Sequence, residues 1–107
     1  MGKVTQPAAP MTPAVALAIL RKDNPKSPLD SLTMYATAFA EWSIATENIS
    51  AQGTIVAHPR TGAPLDNPYL KVRGVAMTTM RRLKRSVGNT NTLWTLAPTT
   101  APDTPLP

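Results

Sequence analysis

The side chains with the greatest chemical potential are six cations crowded into residues 67–88: Lys71, Arg73, Arg81, Arg82, Lys84 and Arg85. No Asp or Glu lies between Pro68 and Gly88. Elsewhere five Lys and Arg (Lys3, Arg21, Lys22, Lys26, Arg60) face six acids (Asp23, Asp30, Glu41, Glu47, Asp66, Asp103), so the formal net charge of +5 originates in this one stretch. A field of one sign, with no carboxylate to cancel it, attracts a polyanion, and each phosphate it neutralises releases counterions. Two other uses stay open. The charges could form a solvated face, or they could pair between copies, with Asp30 and Glu41 of one meeting Arg81 or Arg85 of the next. Arg21, Lys22 and Lys26 make a second, smaller basic patch.

Other chemistry is sparse. There is one histidine, His58, in a Pro-flanked turn, and no cysteine. No glycine-rich phosphate loop is present, and no carboxylates stand at metal or acid–base spacing. The expectation is a protein that is not an enzyme and takes neither metal nor cofactor. The absence of cysteine rules out disulfides and fits a reducing cytoplasm. The apolar run 14–20 is far short of the roughly 20 residues of a membrane span and is followed by Arg21-Lys22-Asp23. A soluble intracellular protein with no membrane partner is therefore expected.

Three proline-marked starts must position the cations. Thr12-Pro13 reads as an N-cap with proline at the first helical position, opening a short helix over 14–22 that stops before Asn24-Pro25. Ser27-Pro28-Leu29-Asp30 reads as a second cap, with Asp30 reaching back to it, opening a helix of about 24 residues that ends at Gly53. On it Leu29, Leu32, Tyr35, Ala36, Phe39, Trp42 and Ile49 fall on one face and Asp30, Glu41 and Asn48 on the other. Ile55-Val56 and Ala63-Pro64-Leu65 flank a Pro/Gly turn, as in a small β-hairpin. Asn67-Pro68 starts the third helix. Its Tyr69, Val72, Ala76, Met80, Leu83 and Val87 share one arc, while Lys71, Arg81, Arg82 and Arg85 share the opposite one. The prediction is a mainly α fold: a long antiparallel helical hairpin with a short preceding helix and a small β-hairpin-like insertion at its tip. Residues 1–11 read as a disordered N-terminal arm, 12–88 as the helical oligomerisation and DNA-binding core, and 89–107 as a Pro/Thr-rich C-terminal tail.

A core of that size buries roughly 60% of its unfolded surface, so self-association is expected to supply more. Leu70, Val75 and Met77 lie off the main apolar arc of the third helix and, with Asp30 and Glu41, are the candidate contacts between copies. Tyr35, Phe39 and Trp42 read as core. The quartet Leu93-Trp94-Thr95-Leu96 interrupts the polar tail. It either folds back on the helices or docks a partner, with Trp94 as anchor.

The order of Leu32, Tyr35, Ala38 and Trp42 on a long helix, Gly53, Ile55-Val56, Asn67-Pro68 and then Met80-Arg81-Arg82-Leu83 before Gly88 resembles the phage terminase small subunit family over residues 28–88. After Gly88 the chain departs from the family pattern, with Asn89 to Leu96 in place of a Leu-x-Pro turn and a short Arg-bearing helix. The resemblance implies a homo-oligomeric ring in the host cell cytoplasm that binds double-stranded viral DNA and regulates the large terminase subunit, which carries the ATPase and nuclease. The alternatives are a DNA-binding regulator unconnected with packaging, or a protein-interaction adaptor with a basic helix.

Overall fold

The computed structural model describes residues 11–98. Of the expected N-terminal arm (1–11) and C-terminal tail (89–107), residues 1–10 and 99–107 lie outside that range. The elements in order are α1 (Pro13–Asp23), α2 (Leu29–Gln52), β1 (Ile55–Ala57), β2 (Pro64–Asp66), α3 (Tyr69–Val87) and α4 (Asn91–Trp94). The fold is mainly helical with one two-stranded antiparallel sheet, as the pattern predicts.

Two hydrogen bonds define the hairpin. Asn67 Nδ2 donates to the Gly53 carbonyl at 2.9 Å, joining the end of α2 to the start of α3. Ser27 Oγ donates to the Val87 carbonyl at 2.9 Å, joining the start of α2 to the end of α3. The two long helices are therefore antiparallel, and α1 packs across α2. Between them lies a core of Ala16, Leu20, Leu32, Tyr35, Ala36, Ala38, Phe39, Trp42, Ala76, Met80, Val87 and Leu93.

The helix starts differ in how their free N–H groups are met. Thr12 caps α1 as predicted, its hydroxyl accepting from the Val15 N–H at 3.2 Å. Asn67 caps α3 from just outside it: its side-chain oxygen accepts from the Tyr69 N–H at 2.9 Å. Asn67 also donates to Asn48 Oδ1, and its own backbone N–H bonds the Thr54 carbonyl, so one buried residue ties α2, the ribbon and α3 together. The predicted Ser27 cap does not form. Pro28 occupies the cap position of α2 without a side-chain bond. The Ser27 hydroxyl instead satisfies a carbonyl at the end of α3, which has no partner within its own helix.

Two residues assigned to apolar arcs are exposed: Leu29 at 53% and Val72 at 39%. Leu29 is the first residue of α2 and lies at the edge of the α1–α2 packing. Val72 sits at the margin of the α3 arc.

The ribbon pairs Ile55 with Asp66, Val56 with Leu65 and Ala57 with Pro64. His58 organises its turn: Nδ1 accepts from the backbone N–H groups of Arg60 and Thr61 at 3.1 and 3.3 Å. The ring therefore serves the turn's backbone.

Residues 89–97 continue onto the core. Leu93 is fully buried, and Trp94 packs edge-on against Phe39 and Trp42, each with ring centroids 4.8 Å away. Trp94 Nε1 donates to the Tyr35 hydroxyl at 2.8 Å. Of the two readings of the quartet, fold-back is the one the structure adopts. Leu96 stays exposed.

Candidate nucleic-acid interface

The cationic surface is built on α3. Its core stripe of Ala76, Met80 and Val87 is buried against α2, which turns the opposite side outward. Lys71, Arg81, Arg82, Lys84 and Arg85 are exposed there, and Arg73 is half-buried along one edge. Among the described residues, Lys84 is the one of these six whose head group makes a hydrogen bond, to Thr90 Oγ1 at 3.3 Å. Lys71, Arg81, Arg82 and Arg85 present their charge to solvent. Lys84 and Arg85 also sit in the last turn of α3, where cations oppose the negative end of the helix dipole.

The second basic patch is drawn to the same end of the molecule. Arg21 and Lys22 are exposed in the last turn of α1, and Lys26 is exposed in the turn that follows. That turn is clamped to the end of α3. Asn24 Nδ2 donates to the Leu20 and Asn89 carbonyls at 3.1 and 2.7 Å, and Asn24 Oδ1 accepts from the Asn89 N–H at 2.8 Å. The chain makes this approach through Gly88 at φ +96°, where a Cβ would stand 2.9 Å from Asn24 Oδ1. Sequence reasoning took Asn24-Pro25 and Gly88 as two separate helix stops. Their pairing crosses more than sixty positions and no local pattern announces it.

Beneath the clamp lies a second set of polar contacts. Thr90 is buried and accepts from Lys84, while Tyr35 lies buried under Trp94. Burial raises the Tyr35 phenol pKa above its ordinary 10.0, and side-chain hydrogen bonds with Trp94 and Thr90 pull the other way. Desolvation disfavours the phenolate, so it wins.

The middle of the basic face is a shallow depression lined by Lys71, Gly74, Val75, Thr78, Thr79 and Arg82. Thr79 also borders a depression on the α2 side, with Thr33, Met34, Thr37, Ala38 and Glu41. Of the candidate contacts between copies, Val75 is 58% exposed and Asp30 and Glu41 are exposed. Leu70 is half-buried, and Met77 packs in part against the chain's own core. Gly74 stands in the interior of α3 and is exposed, although a glycine there costs a helix about 1 kcal/mol relative to alanine.

Fold and surface together define a small helical protein that presents a cationic helix face. Residues 17–92 match the family described as phage terminase, small subunit, and the chain belongs to that family. Its role lies in phage genome packaging. No curated protein and no solved structure matches the chain. The match begins within α1 and ends within α4, so it takes in the clamp at the end of α3 as well as the hairpin. Among the described residues no helix is long and apolar enough to cross a membrane.

Proposed function

We propose that the protein binds double-stranded viral DNA through the outer face of α3 and, as a homo-oligomeric ring in the host cytoplasm, regulates the large terminase subunit during packaging. It is not itself an enzyme and takes no cofactor or metal. The observation that carries the DNA reading is the acid-free face of Lys71, Arg73, Arg81, Arg82, Lys84 and Arg85 on one exposed helix. Arg21, Lys22 and Lys26 extend the positive field at the end of the hairpin.

Self-association rests on complementarity between the two long helices. The outward side of α2 carries Asp30, Glu41 and Glu47 and no Lys or Arg, the reverse of α3. Different faces that attract one another make a head-to-tail contact, which closes into a ring when the rotation allows.

The test is salt dependence. With three or four phosphates contacted per subunit, log K against log salt slopes about −3 to −4 per bound subunit. Replacing Arg81, Arg82 and Arg85 by Ala flattens that slope and lowers affinity on the order of 100-fold near physiological salt. An unchanged slope accompanied by loss of the native oligomer mass would reassign these arginines to contacts between copies.

A further inference from the structure

We propose that Gly74 marks the point of closest approach between α3 and the phosphate backbone of a DNA duplex, with Lys71 and Arg82 straddling it. The inference rests on the DNA-binding reading and narrows it to one place on the face. A glycine in a helix interior weakens the helix, so its presence calls for a compensating role. The fold supplies none: a Cβ built on Gly74 meets nothing within 4 Å, and its backbone has no positive φ to demand glycine. The space it leaves opens outward, on the floor of the depression bordered by Lys71, Val75, Thr78, Thr79 and Arg82.

The chemistry of that floor suits an anion. Lys71 and Arg82 are both exposed and lie about 16 Å apart along the helix axis, so they flank the glycine without crowding it. Thr78 Oγ1 donates to the Gly74 carbonyl at 3.1 Å. That donor damps the partial negative charge at the spot an incoming phosphate would meet. Glycine is also the residue that lets a helix backbone come nearest to a ligand. A second protein helix packed into the same depression would have to desolvate Lys71 and Arg82, which is costly unless each finds a partner. A phosphate backbone leaves both heads in water and neutralises them.

The experiment uses the full chain and a random-sequence blunt duplex, reading melting temperature, native oligomer mass without DNA, and duplex affinity. Gly74→Ala is expected to raise Tm by roughly 4–8 °C, because it removes a helix-interior glycine without a clash. It is expected to leave the oligomer mass unchanged and to weaken duplex binding by about tenfold, with Gly74→Leu weaker still. A variant that is more stable and yet binds worse is not explained by a merely structural glycine. If both variants bind the duplex as the parent does, the site is overturned; the wider DNA reading still stands if the Arg81/Arg82/Arg85 triple alanine variant loses affinity. If Gly74→Ala changes the oligomer mass in the absence of DNA, the close approach belongs to a second copy and the proposal also fails.

Discussion

The solvent face of α3 and the C-terminal end of the same helix are built on opposite plans. Along the face, charged side chains project into water, and among the described residues Lys84 is the one tied to a neighbour. At the end, neutral groups are matched in detail: Asn24 with Leu20 and Asn89, Ser27 with Val87, Trp94 with Tyr35. The difference is one of purpose. Matched neutral hydrogen bonds and aromatic contacts hold a fold together, because buried polar groups without partners are costly. Unmatched surface cations contribute little to a fold, since exposed charges are screened and well solvated. They are free to meet a partner outside the chain.

The contrast can be broken from either side. The largest stability effect is expected at Trp94. Trp94→Ala removes the edge contacts with Phe39 and Trp42 and leaves the Tyr35 hydroxyl without its donor, costing about 3 kcal/mol in a urea melt. A melt unchanged by this substitution would mean that α4 adds nothing to the fold and that Trp94 serves as a docking anchor after all. Gly88→Ala follows, at about 2 kcal/mol, because φ +96° disfavours any side chain and the new Cβ meets Asn24 Oδ1. Duplex affinity measured on the remaining folded protein should be preserved in both variants.

Tyr35→Phe should cost about 1 kcal/mol at neutral pH, since Trp94 loses its acceptor. It also has a signature in alkali. The folded-state pKa of Tyr35 lies above 10.0, so its share of stability is whole below pH 10 and lost as pH rises through the folded value. The Phe variant should lack that part of the alkaline decline. The smallest stability effects are expected on the face itself. Arg81, Arg82 and Arg85 changed singly to Ala should each shift stability by no more than about 0.5 kcal/mol. A loss of several times that size at any one of them would show that the face takes part in the fold, and the two plans would no longer be distinct.

Much of the hairpin was legible because its signals are local. Thr12 and Asn67 cap helices with their own side chains, and Gly53 and Gly88 end helices at positive φ. The burial of Tyr35, Phe39 and Trp42 followed from helical periodicity. The capping pattern misled at Ser27, because a hydroxyl that suits an N-cap suits any free carbonyl within reach, and tertiary packing brought Val87 to it. Periodicity misled at Leu29 and Val72, because it reports which side of a helix a residue is on and not how much of that side its neighbours cover.

By itself, the order of residues determined the helical class of this protein, the length of its two long helices and the cationic excess that α3 carries. These follow from backbone propensity, periodicity and charge, all properties of neighbours along the chain. Only the tertiary structure decided that Asn24 and Ser27 grip the end of α3, that Trp94 closes over Tyr35, Phe39 and Trp42, and that Lys26 comes to the same end of the molecule as Arg85. It also revealed that Gly74 faces open space in the middle of the basic surface. Those facts depend on groups brought together from opposite ends of the sequence, and the energy that joins them arises only once the hairpin has folded.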